Sequence, residues 1–244
     1  LLLAIGKFIA GVLGHSSALI ADAVESFADA LSSIIVWQGI RIASKDPDER
    51  HPYGYGRAET IAAFCVGALL ITAALVIVVK AAGEMFRPHQ APAKWTLLVI
   101  LAVVVIKESL FRIVLKGANT FKSDAARADA WHHRADAITS IAAFAGIVIA
   151  IWGPALFNMP KLIFADEAAA IIASIIILYT ALVLMRPAVL ELLDATNPTL
   201  ADAVRDIASH IPGVALIEKV HARKSGRGYL IDMHLHVAPD LTVR

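Results

Sequence analysis

The sequence predicts an all-α bundle of six transmembrane helices that ends in a small, water-facing α+β module, and three observations carry that prediction. The 244 residues are 58% hydrophobic with a mean hydropathy of +0.70, more apolar surface than a soluble core of this size would hold. Apolar stretches recur at residues 1–13, 17–42, 59–82, 95–115, 125–152 and 164–185, and all but the first reach the roughly 20 residues needed to cross a bilayer. Beyond residue 185 the composition turns abruptly polar, which places a domain boundary there. The expected domains are 1–190 in the membrane and 196–244 in the cytoplasm.

The first stretch begins on Leu1 without a basic leader, so it reads as a helix clipped at its start and not as a signal peptide. The connections assign the sides. Residues 41–57 carry four Lys or Arg and residues 112–134 carry five, against three (Lys80, Arg87, Lys94) and one (Lys161) in the alternate connections. The positive-inside rule puts the richer connections and everything after Met185 in the cytoplasm. A net charge of +1 excludes a broad basic face for nucleic acid. The single cysteine, Cys65, lies within an apolar stretch and has no internal partner for a disulfide.

The second and fifth stretches carry charge where a membrane helix can least accommodate it. Asp22, Glu25 and Asp29 are spaced i, i+3, i+7, and Asp129, His132 and Asp136 repeat that spacing, so each set lies on one helical face. Carboxylates crowded on a buried face repel one another and take up protons unless a cation neutralises them. Glu25 with Asp29 and His132 with Asp136 are i, i+4 pairs, each able to hold one ion from the same side. Three carboxylates and one imidazole suit zinc, iron(II), manganese or cobalt, whereas calcium and magnesium favour all-oxygen shells. Asp22 and Asp129 could equally serve as helix caps. His133 points about 100° away from His132 and reads as structural. In the fourth stretch Glu108 and Arg112 can pair along the helix, while Lys107 is expected to face the bundle interior.

The last segment reads as helix, strand, strand. Residues 199–210 are amphipathic behind a cap at Asn197. Residues 214–222 and 229–237 alternate around a turn at residues 224–228. This is a thin core for an independent domain, so the chain is expected to stop before the module is complete.

Three blocks resemble the cation diffusion facilitators, in order along essentially the whole chain: Glu25-Ser-Phe-Ala-Asp29, His51-Pro-Tyr-Gly-Tyr-Gly-Arg-Ala-Glu59 and Ala128-Asp-Ala-Trp-His132-His-Arg-Ala-Asp136. The resemblance implies a homodimer of six-helix metal–proton antiporters with a ferredoxin-like cytoplasmic domain, embedded in the lipid bilayer of a bacterial inner membrane and without nucleic-acid partners. It implies that Glu25, Asp29, His132 and Asp136 form the transport site. Glu25 departs from the Asp or His usual in zinc-type members. Asp48 and His51 match two ligands of a second site found in some members, but Tyr55 stands where a further His would be. Arg57 and Asp194 match a basic–acidic interlock that helps to hold the dimer. His234 matches a cytoplasmic ligand, with Glu218 the nearest match on the first strand; His221 and His236 are further candidates.

The expected activity is efflux of a divalent metal ion in exchange for protons by alternating access. Proton binding at His132 and the carboxylates would weaken the site for release. Metal binding by the cytoplasmic module could in turn bias the dimer. A membrane metallo-hydrolase is disfavoured because no His-Glu-x-x-His pair is present. A non-transporting metal-binding or assembly scaffold is the alternative that a flux assay separates.

Overall fold

The computed structural model describes residues 1–86, 91–121, 124–226 and 228–239, and only the backbone at 118, 119, 121, 124–133 and 135. The elements run α1 (Leu2–Leu13), α2 (Ser17–Ala43), α3 (Arg57–Glu84), α4 (Thr96–Phe121), α5 (Asp124–Leu156), a 3-10 turn (Pro160–Phe164), α6 (Ala165–Leu192), α7 (Pro198–Ser209), β1 (Val214–Ser225) and β2 (Gly228–Val237). By length and composition, three described segments suffice to cross a bilayer: Arg57–Glu84, Asp136–Leu156 and Pro160–Leu192. Helices α2 and α4 are long enough, but Asp22, Glu25 and Asp29 on one and Lys107, Glu108 and Arg112 on the other lower their apolar character.

Several helices outrun the apolar stretches that announced them. Helix α6 continues through Pro187 to Leu192, although the apolar stretch ends at residue 185. Hydropathy marks where lipid ends, whereas a helix ends where its backbone bonds end, and a proline within it removes only one donor. The hairpin is tighter than expected: β1 runs on to Ser225 and β2 begins at Gly228. Gly226 turns between them with φ +59, the left-handed region in which glycine carries no Cβ penalty.

The chain divides into two compact units. The first comprises Leu1–Leu31 and Leu69–Ala181. Its core joins Ala10, Ala18, Leu19, Ile100, Ala143 and Ile147, small residues alternating with large so that helix backbones approach closely. Gly14 illustrates the constraint, since a Cβ there would meet Thr96 Cγ2.

The second unit comprises Ser32–Ala68 and Leu182–Arg244. Its antiparallel hairpin packs on α7 through Ala201, Val220 and Ala222, flanked by Leu200, Val204, Ile217 and Met233. The cap of α7 forms as expected, with Asn197 Oδ1 accepting from Leu200 N at 3.1 Å. Within this unit Glu191 is a junction. Its carboxylate accepts from Thr60 Oγ1 on α3 at 2.6 Å and from the Gly226 N–H at 2.7 Å, and lies 3.5 Å from Lys224 Nζ.

Candidate metal transport site

The second and fifth helices meet through their polar faces. Thr139 Oγ1 on α5 is a donor 3.3 Å from Glu25 Oε2 on α2. One turn away along α2, Ser140 Oγ donates to Asp22 Oδ1 at 2.6 Å. Glu25 is half-buried and lies within the electrostatic reach of Asp22, Asp29, Asp136 and Lys107. Asp29 and Asp136 are likewise half-buried. The structure thus sets Glu25 against α5 through Thr139, with Asp29 and Asp136 on the same two helices; among the described residues it brings no three His, Cys, Asp or Glu side chains together closely enough to hold a metal ion. His132 lies on α5 one turn before Asp136, but its side chain, like those of Asp129 and His133, lies outside the described residues.

Asp22 is not a helix cap. It is 4% exposed and forms the centre of an ion network: Oδ2 accepts from Lys7 Nζ at 2.6 Å and Oδ1 from Lys107 Nζ at 3.1 Å. Lys7 also donates to the Asp22 carbonyl and to Ser26 Oγ, while Lys107 also donates to the Asp136 carbonyl at 2.9 Å and to Ser140 Oγ at 2.8 Å. An ammonium in the interior persists only with such partners. Lys107 therefore faces inward, as its position in α4 indicated, and Glu108 pairs with Arg112 at 2.8 Å. Sequence reasoning missed Lys7, Thr139 and Ser140. Lys7 had a signal, being the sole charge in residues 1–13; Thr139 and Ser140, three and four residues after Asp136, share its face.

In the loop after α2, Asp48 and His51 come together, with Asp48 Oδ1 3.3 Å from His51 Nδ1. The same oxygen accepts from the Arg50 and His51 N–H groups, and Oδ2 accepts from the Tyr55 hydroxyl at 2.6 Å. These bonds together act as a loop staple. The hydrogen bond from Tyr55, followed by that from the His51 backbone, holds the Asp48 carboxyl down at about 2, and the same bond raises the Tyr55 phenol. Because the folded value lies below the ordinary 3.8, the stabilisation is present above that value and is lost as pH falls through about 2. Tyr55→Phe is expected to move the Asp48 titration up toward 3.8, read from its carboxyl carbon shift by NMR. An unmoved titration would mean that the hydroxyl bond is not formed.

The cytoplasmic hairpin carries the remaining candidates. Glu218 occupies a bulge between Ile217 and Lys219, which turns its carboxylate toward the partner strand. Its Oε2 lies 3.8 Å from His234 Nδ1 and 3.8 Å from His236 Nε2, all three side chains being exposed. His221 stands across from Asp232, away from that trio. Arg57 pairs with Asp194 within the one chain, and Arg223 Nη1 reaches the other Asp194 oxygen at 3.0 Å.

Comparison with known proteins places these elements in context. The transmembrane-domain model of the cation efflux family matches residues 1–193, and the model of the cation efflux protein cytoplasmic domain matches residues 197–244. The manganese efflux system protein MneP of Bacillus subtilis is 33% identical over 245 residues, covering 100% of this chain and 82% of that protein. The magnetosome protein MamB of Magnetospirillum gryphiswaldense is 30% identical, covering 98% and 78% respectively. The metal tolerance protein C1 of Arabidopsis thaliana is 30% identical, covering 97% of this chain and 52% of its own length.

Proposed function

Because the chain belongs to the cation efflux family, the cation diffusion facilitators that its motifs resemble, and is an integral membrane transporter of metal cations, we propose that it exports a divalent transition-metal ion in exchange for protons. The observation that carries this reading is the meeting of the acidic face of α2 with the Asp136 face of α5. Glu25, Asp29, His132 and Asp136 hold the dehydrated ion between the two helices. Alternating access then requires the two sides of that contact to open in turn, and protons supply the release step by charging His132 and neutralising the carboxylates.

Six spans, α1 to α6, give an even count that returns the C-terminal module to the cytoplasm, with residues 1–190 in the membrane and 196–244 outside it. A homodimer in a bacterial inner membrane is the working unit. Glu218 and His234, with His236 beside them, form a metal-responsive face of the module, while Asp48 and His51 belong to the loop staple and are the weaker second site.

Three oxygen ligands with one imidazole make the site harder than a nitrogen-rich one. One relative is named for manganese efflux, so manganese and iron(II) head the candidate cargo, with zinc and cobalt behind. Glu25 is the residue through which metal choice is set, because its extra methylene reaches further across the gap than Asp and binds through one or both oxygens. The test is competitive flux into liposomes with pairs of ions at equal free concentration. Glu25→His is expected to raise zinc transport relative to manganese by about tenfold, the ratio that 1.4 kcal/mol of differential binding produces, and Glu25→Asp to shift it less. An unchanged ratio in Glu25→His removes this residue from the coordination shell, and absence of flux for every ion removes the transporter reading in favour of a scaffold.

A further inference from the structure

Two ammonium groups lie inside the first unit, Lys7 with its side chain fully buried and Lys107 with 10% of its own exposed. Both converge on the single carboxylate of Asp22. That leaves one of the two positive charges without a neutralising partner in the pair itself. Glu25 lies one turn along α2 from Asp22, within the electrostatic reach of Lys107.

Lys107 is the better placed of the two to act on the cargo. Its Nζ is held by Asp22 Oδ1 on α2 and by the Asp136 carbonyl and Ser140 Oγ on α5. It thus sits directly between the helices that carry the two proposed ligand pairs, whereas among the described residues Lys7 reaches only α2, at Asp22 and Ser26. A fixed positive charge lowers the affinity for a divalent ion several ångström away, and with Asp22 paired to Lys107 the expected size of the effect is about tenfold.

We propose that Lys107 is a built-in counter-charge of the transport site, which holds metal affinity low enough for the ion to leave and so sets the turnover rate. The inference rests on the four-ligand reading above. It differs from a merely structural role in one respect. Loss of a structural tie weakens binding and transport together, whereas loss of a counter-charge tightens binding while slowing release.

The experiment measures manganese binding by calorimetry and manganese flux in liposomes for the full chain in lipid. Lys107→Met is expected to bind manganese about tenfold more tightly and to show kcat about tenfold lower. Lys107→Arg keeps the charge and should stay within about threefold of wild type in both, less than one half of a 1.4 kcal/mol step. Lys107→Gln keeps a donor for the Asp136 carbonyl but removes the charge, and is expected to tighten binding as Lys107→Met does. This variant also keeps the proposal testable where Lys107→Met does not fold, and in both Asp22 retains Lys7 as its partner. In Lys107→Gln, weakened affinity with lost flux overturns the proposal in favour of a structural tie. In Lys107→Met, unchanged affinity and flux overturn it as well. Asp136→Ala, measured alongside, separates the two readings. If it keeps wild-type binding, the four-ligand site fails; if it loses binding while Lys107→Met behaves as wild type, only the counter-charge fails.

Discussion

Asp136→Ala is expected to abolish metal transport while leaving the protein folded. In the proposed site the carboxylate is one of four donors to the ion, and a divalent metal held by three donors and water between two helices would lose the geometry that closes one side while opening the other. Loss of a partner one shell further out already costs a metal site 10- to 100-fold, so a flux decrease of about 100-fold or more is the expected size. The fold should survive because the bond from Lys107 goes to the Asp136 carbonyl, which alanine retains. Flux in liposomes, with size and thermal unfolding measured on the same preparation, tests both halves. A folded variant that moves metal at the wild-type rate would remove Asp136 from the site.

Asp22→Leu should act in the opposite manner, through the fold. Its carboxylate is the shared counter-ion of Lys7 and Lys107, each within hydrogen-bonding distance and all three groups buried. Breaking a buried pair by deleting one member costs about 3–5 kcal/mol, and here one deletion strands two ammoniums. A large drop in unfolding temperature in detergent or nanodiscs is expected, partly recovered when Lys7→Met is added, because one stranded charge is then gone. If the unfolding temperature of Asp22→Leu matches wild type, water and not Asp22 solvates the two lysines.

Much of this was legible along the chain. The i, i+3, i+7 acids of α2 announced one polar face because helical periodicity alone decides it, and Asn197 announced the start of α7 because a cap is a local interaction. The pairing of His234 and His236 on one strand face followed from the two-residue period of a strand, and Glu218 meets both. The partners of Lys7 and Lys107 were not legible, since a lysine in an apolar stretch reads equally as one that snorkels to the headgroups, and only packing brings α1, α4 and α5 onto Asp22. The Tyr55 to Asp48 bond escaped notice for a related reason: it depends on a loop closing on itself, and no periodicity reports that. The extension of α6 beyond Pro187 lay hidden because hydropathy and backbone bonding end at different places.

The junction at Glu191 bears on how force travels through the second unit. One carboxylate at the end of α6 grips the first turn of α3 through Thr60 and the tip of the β-hairpin through Gly226. Three segments far apart in sequence thus share an axle. A twist of the hairpin is therefore passed to both helix ends through this carboxylate as well as through the linker.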